Sequence, residues 1–363
     1  VTEAERGRTR KRSGTRAARG RPIPNVSDVA ARAGVTISTV SNSLNHPEKV
    51  APATRERVAA AIADLGYVPN HQARALATGT SDTLGLLLTD IGNSAYVEMA
   101  LGAEEAAHRL GLNVLLANSD TSLTKQESYL DVFNQDRFAG ILVSPFEASR
   151  EAAAAIRALN PPAVFLVVAS PNADHCSVVI DEAHGGYLAL QHLIGLGRRR
   201  LMFVNGPERL VPLLERRIGV DRAVSEAGGA VAIEYVDVPA VNAPEGRSVG
   251  RMLLDRPSAE RPDAIFAASD LLALGIVQAI RHEVRVPEDI SIIGYDNNRA
   301  AWESEIPLST VAQPYREAGE RAVALVVDEI RDPVEHRHVM VALQPEVVPR
   351  ASTGNSPSDK SKR

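Results

Sequence analysis

From Thr83 onward the chain is punctuated by short apolar runs: Leu84–Leu88, Ile141–Ser144, Val164–Val168, Leu201–Val204, Ala264–Ala267 and Ile290–Ile293. These runs lack the apolar–polar alternation of a half-exposed strand, so they read as strands covered on both faces. Segments with the 3.6-residue period of amphipathic helices separate them. Strands alternating with helices predict parallel, doubly wound sheets, an α/β fold. Six such units over about 270 residues exceed one ordinary core, so two lobes are expected.

Residues 25–80 carry a different pattern, of short helices without a strand. Ser27 is placed to cap a first helix over Asp28–Ala33, with Gly34 past its end where a left-handed backbone is needed. Thr36 caps a second helix over Ile37–Leu44, and Pro52 opens a third that Gly66 ends after Leu65. Val29, Ala30, Ala33, Val35, Val40 and Leu44 knit the first pair, and Val58, Ala59, Ile62 and Leu65 cover it. Two short helices joined by a tight turn containing glycine form a helix-turn-helix arrangement. The outer face of the second helix offers Ile37, Ser38, Ser41, Asn42 and Asn45. Such a face can simply be solvated, but short hydrogen-bonding side chains without large charges suit the edges of bases in a major groove. Asn42 is assigned an adenine edge, and Ser38 and Ile37 base or thymine-methyl contacts. Thr36, Ser41 and Asn45 are assigned to phosphates.

Composition refines this. A hydrophobic content of 44% with 23% charged residues fits a globular chain, and the net charge of −5 shows that the molecule as a whole is no polycation. Basic charge is concentrated in residues 1–24, where Arg6, Arg8, Arg10, Lys11, Arg12, Arg16, Arg19 and Arg21 face only Glu3 and Glu5. That segment reads as a disordered solvated arm or as a nonspecific contact for DNA. Cys176 is the only cysteine, so there is no intrachain disulfide or CxxC metal site, and no metal-ligand cluster is expected among the nine histidines. The absence of a signal-like apolar segment and of any run approaching the ~18 apolar residues of a membrane helix leads to an expectation of a cytoplasmic protein with no membrane contact. Neither a P-loop nor GxGxxG follows the first strand, which leaves no cofactor in view. The tail 351–363, rich in Ser and Lys, reads as disordered.

The stretch Val26–Asn45, VSDVAARAGVTISTVSNSLN, resembles the DNA-binding headpiece of the lactose-repressor (LacI/GalR) family. The resemblance continues through Thr54–Val58, Leu65–Asn70, Ala73–Ala77, Gly140–Pro145, His192–Gly197, Ala268–Gly275, Val286–Asp296, Gln313-Pro314 and Arg350–Thr353. It implies a headpiece at 25–69, a hinge helix and linker at 70–80, and a two-lobed core at 81–350 like a periplasmic sugar-binding protein. Lobe one is expected at 82–179 and 311–341, lobe two at 180–310 and 342–350. Within the hinge, Asn70, Ala73 and Leu76 are implied DNA contacts, with Leu76 wedged into a minor-groove base step. Independently, a segment as short as Asn70–Ala77 is too short to be a stable helix alone in water. It should therefore order only against its dimer mate and DNA. Asn42 stands where many family members carry arginine, which leaves the operator sequence open. Ala51 replaces the usual hydroxyl cap before Pro52.

In open parallel sheets, ligands sit beyond the carboxyl ends of the strands. The segment Ile91–Tyr96 after the first strand is expected there, and the residues assigned to the effector are Tyr96, Ser144, Phe146, Arg216, Ser269 and Asp296. Arg216 and Gly219 match the family's Arg-x-x-Gly motif, and Asp270 reads as a cap for a helix from Leu271. Asn93-Ser-Ala-Tyr96 departs from the usual Asn-Pro-Phe-Phe, and Leu210–Leu214 is apolar, so the effector is a sugar by resemblance and a less hydroxylated molecule by these residues. The reading that results is a homodimeric, non-enzymatic transcriptional regulator, a repressor on a pseudo-palindromic double-stranded operator, controlled by a small-molecule effector. A solute-binding protein is disfavoured by the helix-turn-helix. An enzyme is disfavoured by the lack of a nucleophile–base pair or cofactor loop.

Overall fold

The computed structural model describes residues 24–68, 81–145, 150–171 and 173–354. The Arg-rich arm through residue 23, the hinge residues Asn70, Ala73 and Leu76, and Phe146 lie outside the described residues. The chain divides into two units, residues 1–78 and 79–363.

In the first unit, α1 (Val26–Ala33), α2 (Ile37–Asn45) and α3 (Pro52–Leu65) enclose Val29, Ala30, Ala33, Val40, Val58 and Ala61. These are small side chains, and a core so shallow leans on its helix ends. The N-cap of α1 is Asn25 rather than the expected Ser27. Asn25 Oδ1 accepts the Ser27 N–H at 2.8 Å, and Asp28 Oδ2 accepts the Asn25 N–H at 2.8 Å, a reciprocal capping box. Thr36 caps α2 as expected, accepting the Thr39 N–H. Ala59 is exposed and Ala61 takes its place in the core, while Leu44, a turn beyond Val40, is 39% exposed past the core's edge.

The second unit holds β1 (Thr83–Leu88), β2 (Asn113–Asn118), β3 (Gly140–Val143), β4 (Ala163–Val167), β5 (Cys176–Ile180) and β6 (Arg200–Asn205). Then come β7 (Ala232–Asp237), β8 (Ala264–Ala267), β9 (Ser291–Tyr295), β10 (Ser309–Ala312), β11 (Met340–Leu343) and β12 (Glu346–Val348). Two six-stranded sheets result, in the orders β11-β5-β4-β3-β1-β2 and β12-β10-β9-β8-β6-β7. Paired neighbours are parallel except β10 with β12. The chain passes from sheet one to sheet two after β5, back after β10, and across again between β11 and β12. The expected lobe boundaries shift accordingly: residue 311 lies within β10 of sheet two, and β11 of sheet one runs past residue 341 to Leu343. Hydrogen-bonded pairing, absent from a one-dimensional apolar pattern, sets those limits.

The helices are α4 (Ser94–Arg109), α5 (Leu123–Gln135), α6 (Arg150–Arg157), α7 (Glu182–Gly195), α8 (Val211–Glu226), α9 (Ala243–Leu254), α10 (Asp270–Ile280), α11 (Arg299–Trp302) and α12 (Tyr315–Arg331). Glycines set the closest helix crossings. A methyl at Gly102 of α4 would collide with the Arg316 carbonyl of α12, and one at Gly219 of α8 with the Ala183 carbonyl of α7. Ala351–Thr353 is ordered, against the expectation of a disordered tail from residue 351. Ser352 Oγ donates to the Ile292 carbonyl at 2.6 Å and Thr353 Oγ1 lies 2.7 Å from Ser309 Oγ, so these side chains are anchored in lobe two. Among the described residues no helix is long and apolar enough to cross a membrane.

Candidate functional site

The headpiece exposes one polar helix end. Thr36, Ile37, Ser38 and Asn42 are exposed on α2, with Ile37 at 50%, while Ser41 and Asn45 are half-buried. Thr36 Oγ1 is held 2.8 Å from Ser38 Oγ and 2.9 Å from Thr39 Oγ1, and Asn45 Nδ2 donates to Ser41 Oγ at 3.4 Å. The first turn of α2 holds no acidic residue, so the positive end of the helix dipole stays unneutralised and favours an approaching anion. Asn42 and Ser38 lie one turn apart on that exposed face.

The second site is a cleft between the lobes, a cavity of about 140 Å³. Five of the six residues expected to meet an effector line it: Tyr96 and Ser144 from lobe one, Arg216, Ser269 and Asp296 from lobe two. Tyr96, Ser144, Ser269 and Asp296 stand at the carboxyl ends of strands or the starts of helices, where a parallel sheet leaves a crevice, and Arg216 reaches it from the second turn of α8. Asp296 directly follows β9 with a φ of 99° and is followed by Asn297 at 57°, two successive left-handed residues that are not glycine. Strain of this kind persists only where neighbours hold it. The neighbours here are Asn93 Nδ2, donating to Asp296 Oδ2 at 2.8 Å, and Gln313 Nε2, donating to Oδ1 at 2.8 Å. Asn93 Oδ1 also accepts from Asn298 Nδ2 at 3.0 Å, and Ser94 Oγ accepts the Arg299 N–H at 2.9 Å. The N-terminus of α4 in lobe one is thereby latched to the β9–α11 segment of lobe two.

Arg216 is buried and already engaged. Its Nε donates to Glu182 Oε2 at 2.8 Å and its NH1 to the Ala268 carbonyl at 2.6 Å, while its guanidinium lies 3.7 Å over the Tyr295 ring. Asp296 Oδ1 is 3.7 Å from Arg216 NH2. Burial pushes the Asp296 carboxyl up to about 6, against the pull of the Arg216 charge. Tyr96 lies 5.5 Å from the Tyr315 ring, and burial together with the Asp296 charge raises its hydroxyl to about 12. Ser269, which lines the cleft, is also the N-cap of α10, its Oγ accepting the Leu272 N–H at 3.2 Å. Asp270, expected as that cap, is the first residue of α10 and is buried against Gly294, accepting the Asn298 N–H at 2.6 Å.

Sequence reasoning placed Asn93 at the crevice within 91–96 without a role, and missed Glu182 and Gln313; the three hold Arg216 and Asp296. Glu182 meets Arg216 within lobe two and Gln313 meets Asp296 beside the crossing after β10, while Asn93 reaches Asp296 only where the two lobes meet. The arrangement provides a carboxylate with two amide donors, a tethered cation and two tyrosines around a partly apolar cavity also lined by Val168, Leu210, Pro212 and Leu213. Directional polar groups on apolar walls bind and orient a small molecule.

Comparison with known proteins bears on both sites. The profile of bacterial regulatory proteins, lacI family, matches residues 25–70, and that of the periplasmic binding protein-like domain matches residues 190–353. The chain is 32% identical to the HTH-type transcriptional repressor PurR of Aliivibrio fischeri (strain ATCC 700601 / ES114) over 338 residues, covering 92% of this chain and 99% of the relative. It is 32% identical to the HTH-type transcriptional regulator DegA of Bacillus subtilis (strain 168), over 90% of this chain and 97% of that one. Among solved structures, the lac repressor dimer bound to operator and the anti-inducer ONPF superposes with a TM-score of 0.79 at 26% identity, covering 92% of this chain and 99% of that chain. A complex of the transcriptional regulator CelR with cellobiose is 31% identical with a TM-score of 0.66, covering 91% and 99%.

Proposed function

The chain belongs to the lacI family of bacterial regulatory proteins and is a DNA-binding transcriptional regulator, and from that premise we propose a cytoplasmic, homodimeric, non-enzymatic repressor whose hold on a pseudo-palindromic operator is set by a small molecule in the interlobe cleft. One observation carries the ligand half of this reading. Asp296, Asn93, Tyr96 and Arg216, from both lobes, converge on a single cavity. A ligand that hydrogen-bonds to Asp296 competes with the Asn93 amide, and so acts on the contact that joins the lobes. Ligand binding alters DNA affinity only to the extent that the ligand prefers one lobe arrangement over the other. A hundredfold change in occupancy needs about 2.7 kcal/mol of such preference.

The DNA half rests on α2, with Asn42, Ser38 and Ile37 at bases and Thr36, Ser41 and Asn45 at phosphates. Asn70, Ala73 and Leu76 are assigned to a hinge that folds on the operator. For the dimer, support comes from the outer side of lobe one, where Leu101, Leu110, Leu115, Leu116, Tyr129 and Val132 are each at least 37% exposed around α4, β2 and α5. Apolar exposure on that scale marks a contact surface. A sugar is the first class of effector to test, because relatives such as CelR are described with one. The apolar residues Leu210, Pro212 and Leu213 extend the panel to nucleobases and amino acids. The purified chain is screened by thermal shift against that panel. A compound that raises the melting temperature should lose its effect in Asp296→Ala, which retains operator binding. A ligand that stabilises wild type and Asp296→Ala alike places its site elsewhere.

A further inference from the structure

The fold assembles a group that the sequence does not announce. Among the described residues, Cys176, His336 and His338 bring Sγ, Nε2 and Nδ1 within 4.8 Å of one another. Cys176 is the first residue of β5, and the two histidines precede β11. Its Sγ lies 3.2 Å from His336 Nε2 and 3.9 Å from His338 Nδ1. The expectation of no metal-ligand cluster is thus corrected: Cys176 and His336 stand 160 positions apart, and only the parallel pairing of β5 with β11 makes them neighbours.

A fourth donor stands beside them. Glu329, near the end of α12, places Oε2 3.8 Å from His336 Nε2 and 4.0 Å from His338 Nδ1. That oxygen is buried without a hydrogen-bond partner. We propose that Cys176, His336, His338 and Glu329 form a binding site for a divalent transition-metal ion, with zinc the best match to the donor set.

Bond lengths of about 2.0–2.3 Å at a tetrahedral ion put neighbouring donors about 3.3–3.6 Å apart. Four of the six donor separations, at 3.2–4.0 Å, are within a few tenths of an ångström of that range, and the two imidazole nitrogens, within 4.8 Å of each other, close on the ion by turning their rings. One thiolate, two imidazoles and a carboxylate suit zinc, whereas calcium and magnesium prefer oxygen alone. The surroundings fit as well. His336 Nδ1 lies 2.8 Å from Asp328 Oδ2, the carboxylate–histidine arrangement that orients an imidazole and leaves Nε2 for a metal. The Val339 N–H donates to Cys176 Sγ at 3.4 Å, a contact that stabilises a thiolate. On binding, the Cys176 S–H proton passes to solvent, and both imidazoles bind as neutral rings.

The position gives the ion a structural consequence. β5 and β11 lead into two of the three crossings between the lobes, and the cluster lies at their N-terminal roots, away from the cleft. A bound ion ties these roots to each other and to α12.

The test uses the full-length protein, stripped with a chelator and dialysed against zinc or cobalt. Elemental analysis should find one ion per chain, and the cobalt form should show near-ultraviolet thiolate-to-metal charge transfer. Cys176→Ser should lose that band. His338→Gln, which alters a partly exposed side chain, should bind cobalt at least about tenfold more weakly with an unchanged far-ultraviolet spectrum. Should Cys176→Ser fail to fold, His338→Gln decides the matter. Wild-type protein that retains no ion after dialysis, or cobalt binding that is unchanged in the folded variants, overturns the proposal.

Discussion

At Asp296 a single carboxylate combines strain, burial and charge. Its folded value of about 6 exceeds the ordinary 3.8, so between those two pH values the folded chain holds a proton that the unfolded chain has released. Stability contributed by this group is therefore present at low pH and is lost as pH rises through the folded value. Asp296→Asn should melt at a higher temperature than wild type at pH 7, with the advantage shrinking towards pH 4; a pH series of thermal melts reads it directly. An advantage that grows on acidification contradicts the assignment. In the headpiece, Asn42→Ala should cost about 1–3 kcal/mol per half-site and relax preference at one symmetric base pair, as measured by operator selection. An unchanged preferred sequence moves base reading to other residues. Asp296 was readable from the sequence because it ends a strand at the crevice, and Arg216 because it matches the Arg-x-x-Gly motif of the resembling family. Their holders were not: Glu182 follows a helix cap like any first-turn acid, and Asn93, though placed at the crevice, lies 203 residues from the Asp296 it pairs with.

Helices and strands follow the sequence pattern best where they are buried. All six apolar runs match strands to within two residues at their ends, from β1 to β9. The strands outside those runs are β2, β5, β7, β10, β11 and β12: β2, β7, β11 and β12 are edge strands with exposed or half-exposed residues, whereas β5 and β10 are inner and buried, and Cys176-Ser177 and Ser309-Thr310 break their apolar runs. Helix starts depended on which of two nearby polar residues reached the free N–H groups, Asn25 or Ser27, Ser269 or Asp270; backbone geometry decides that. Ala51 caps α3 with no side-chain hydrogen bond. Ala51→Ser should stabilise the headpiece by about 1 kcal/mol, seen as a higher denaturation midpoint in isolated residues 24–68. A neutral or destabilising effect there would mean that the α3 start is satisfied by other means. Gly102→Ala should force α4 from α12, displace Asn93 and Tyr315 together, and lower the melting temperature of the core.

For the whole molecule, the resemblance carried the two-unit plan, while the lobe limits had to come from strand pairing. Deleting residues 1–80 should leave a folded, ligand-binding core without specific operator binding. Leu116→Arg, on the exposed apolar side of lobe one, should shift the protein to monomer in sedimentation and weaken operator binding; an intact dimer would place the interface elsewhere. The central claim is that the cleft and the DNA-reading surface share one free-energy coupling. Its most direct measurement is operator affinity of the full chain with and without the compound found by thermal shift, paired with affinity for that compound with and without operator. The account predicts equal fold-changes in the two, of at least about tenfold, since linkage is reciprocal, and none in Asp296→Ala. Operator affinity that stays constant while the cleft is saturated would contradict it.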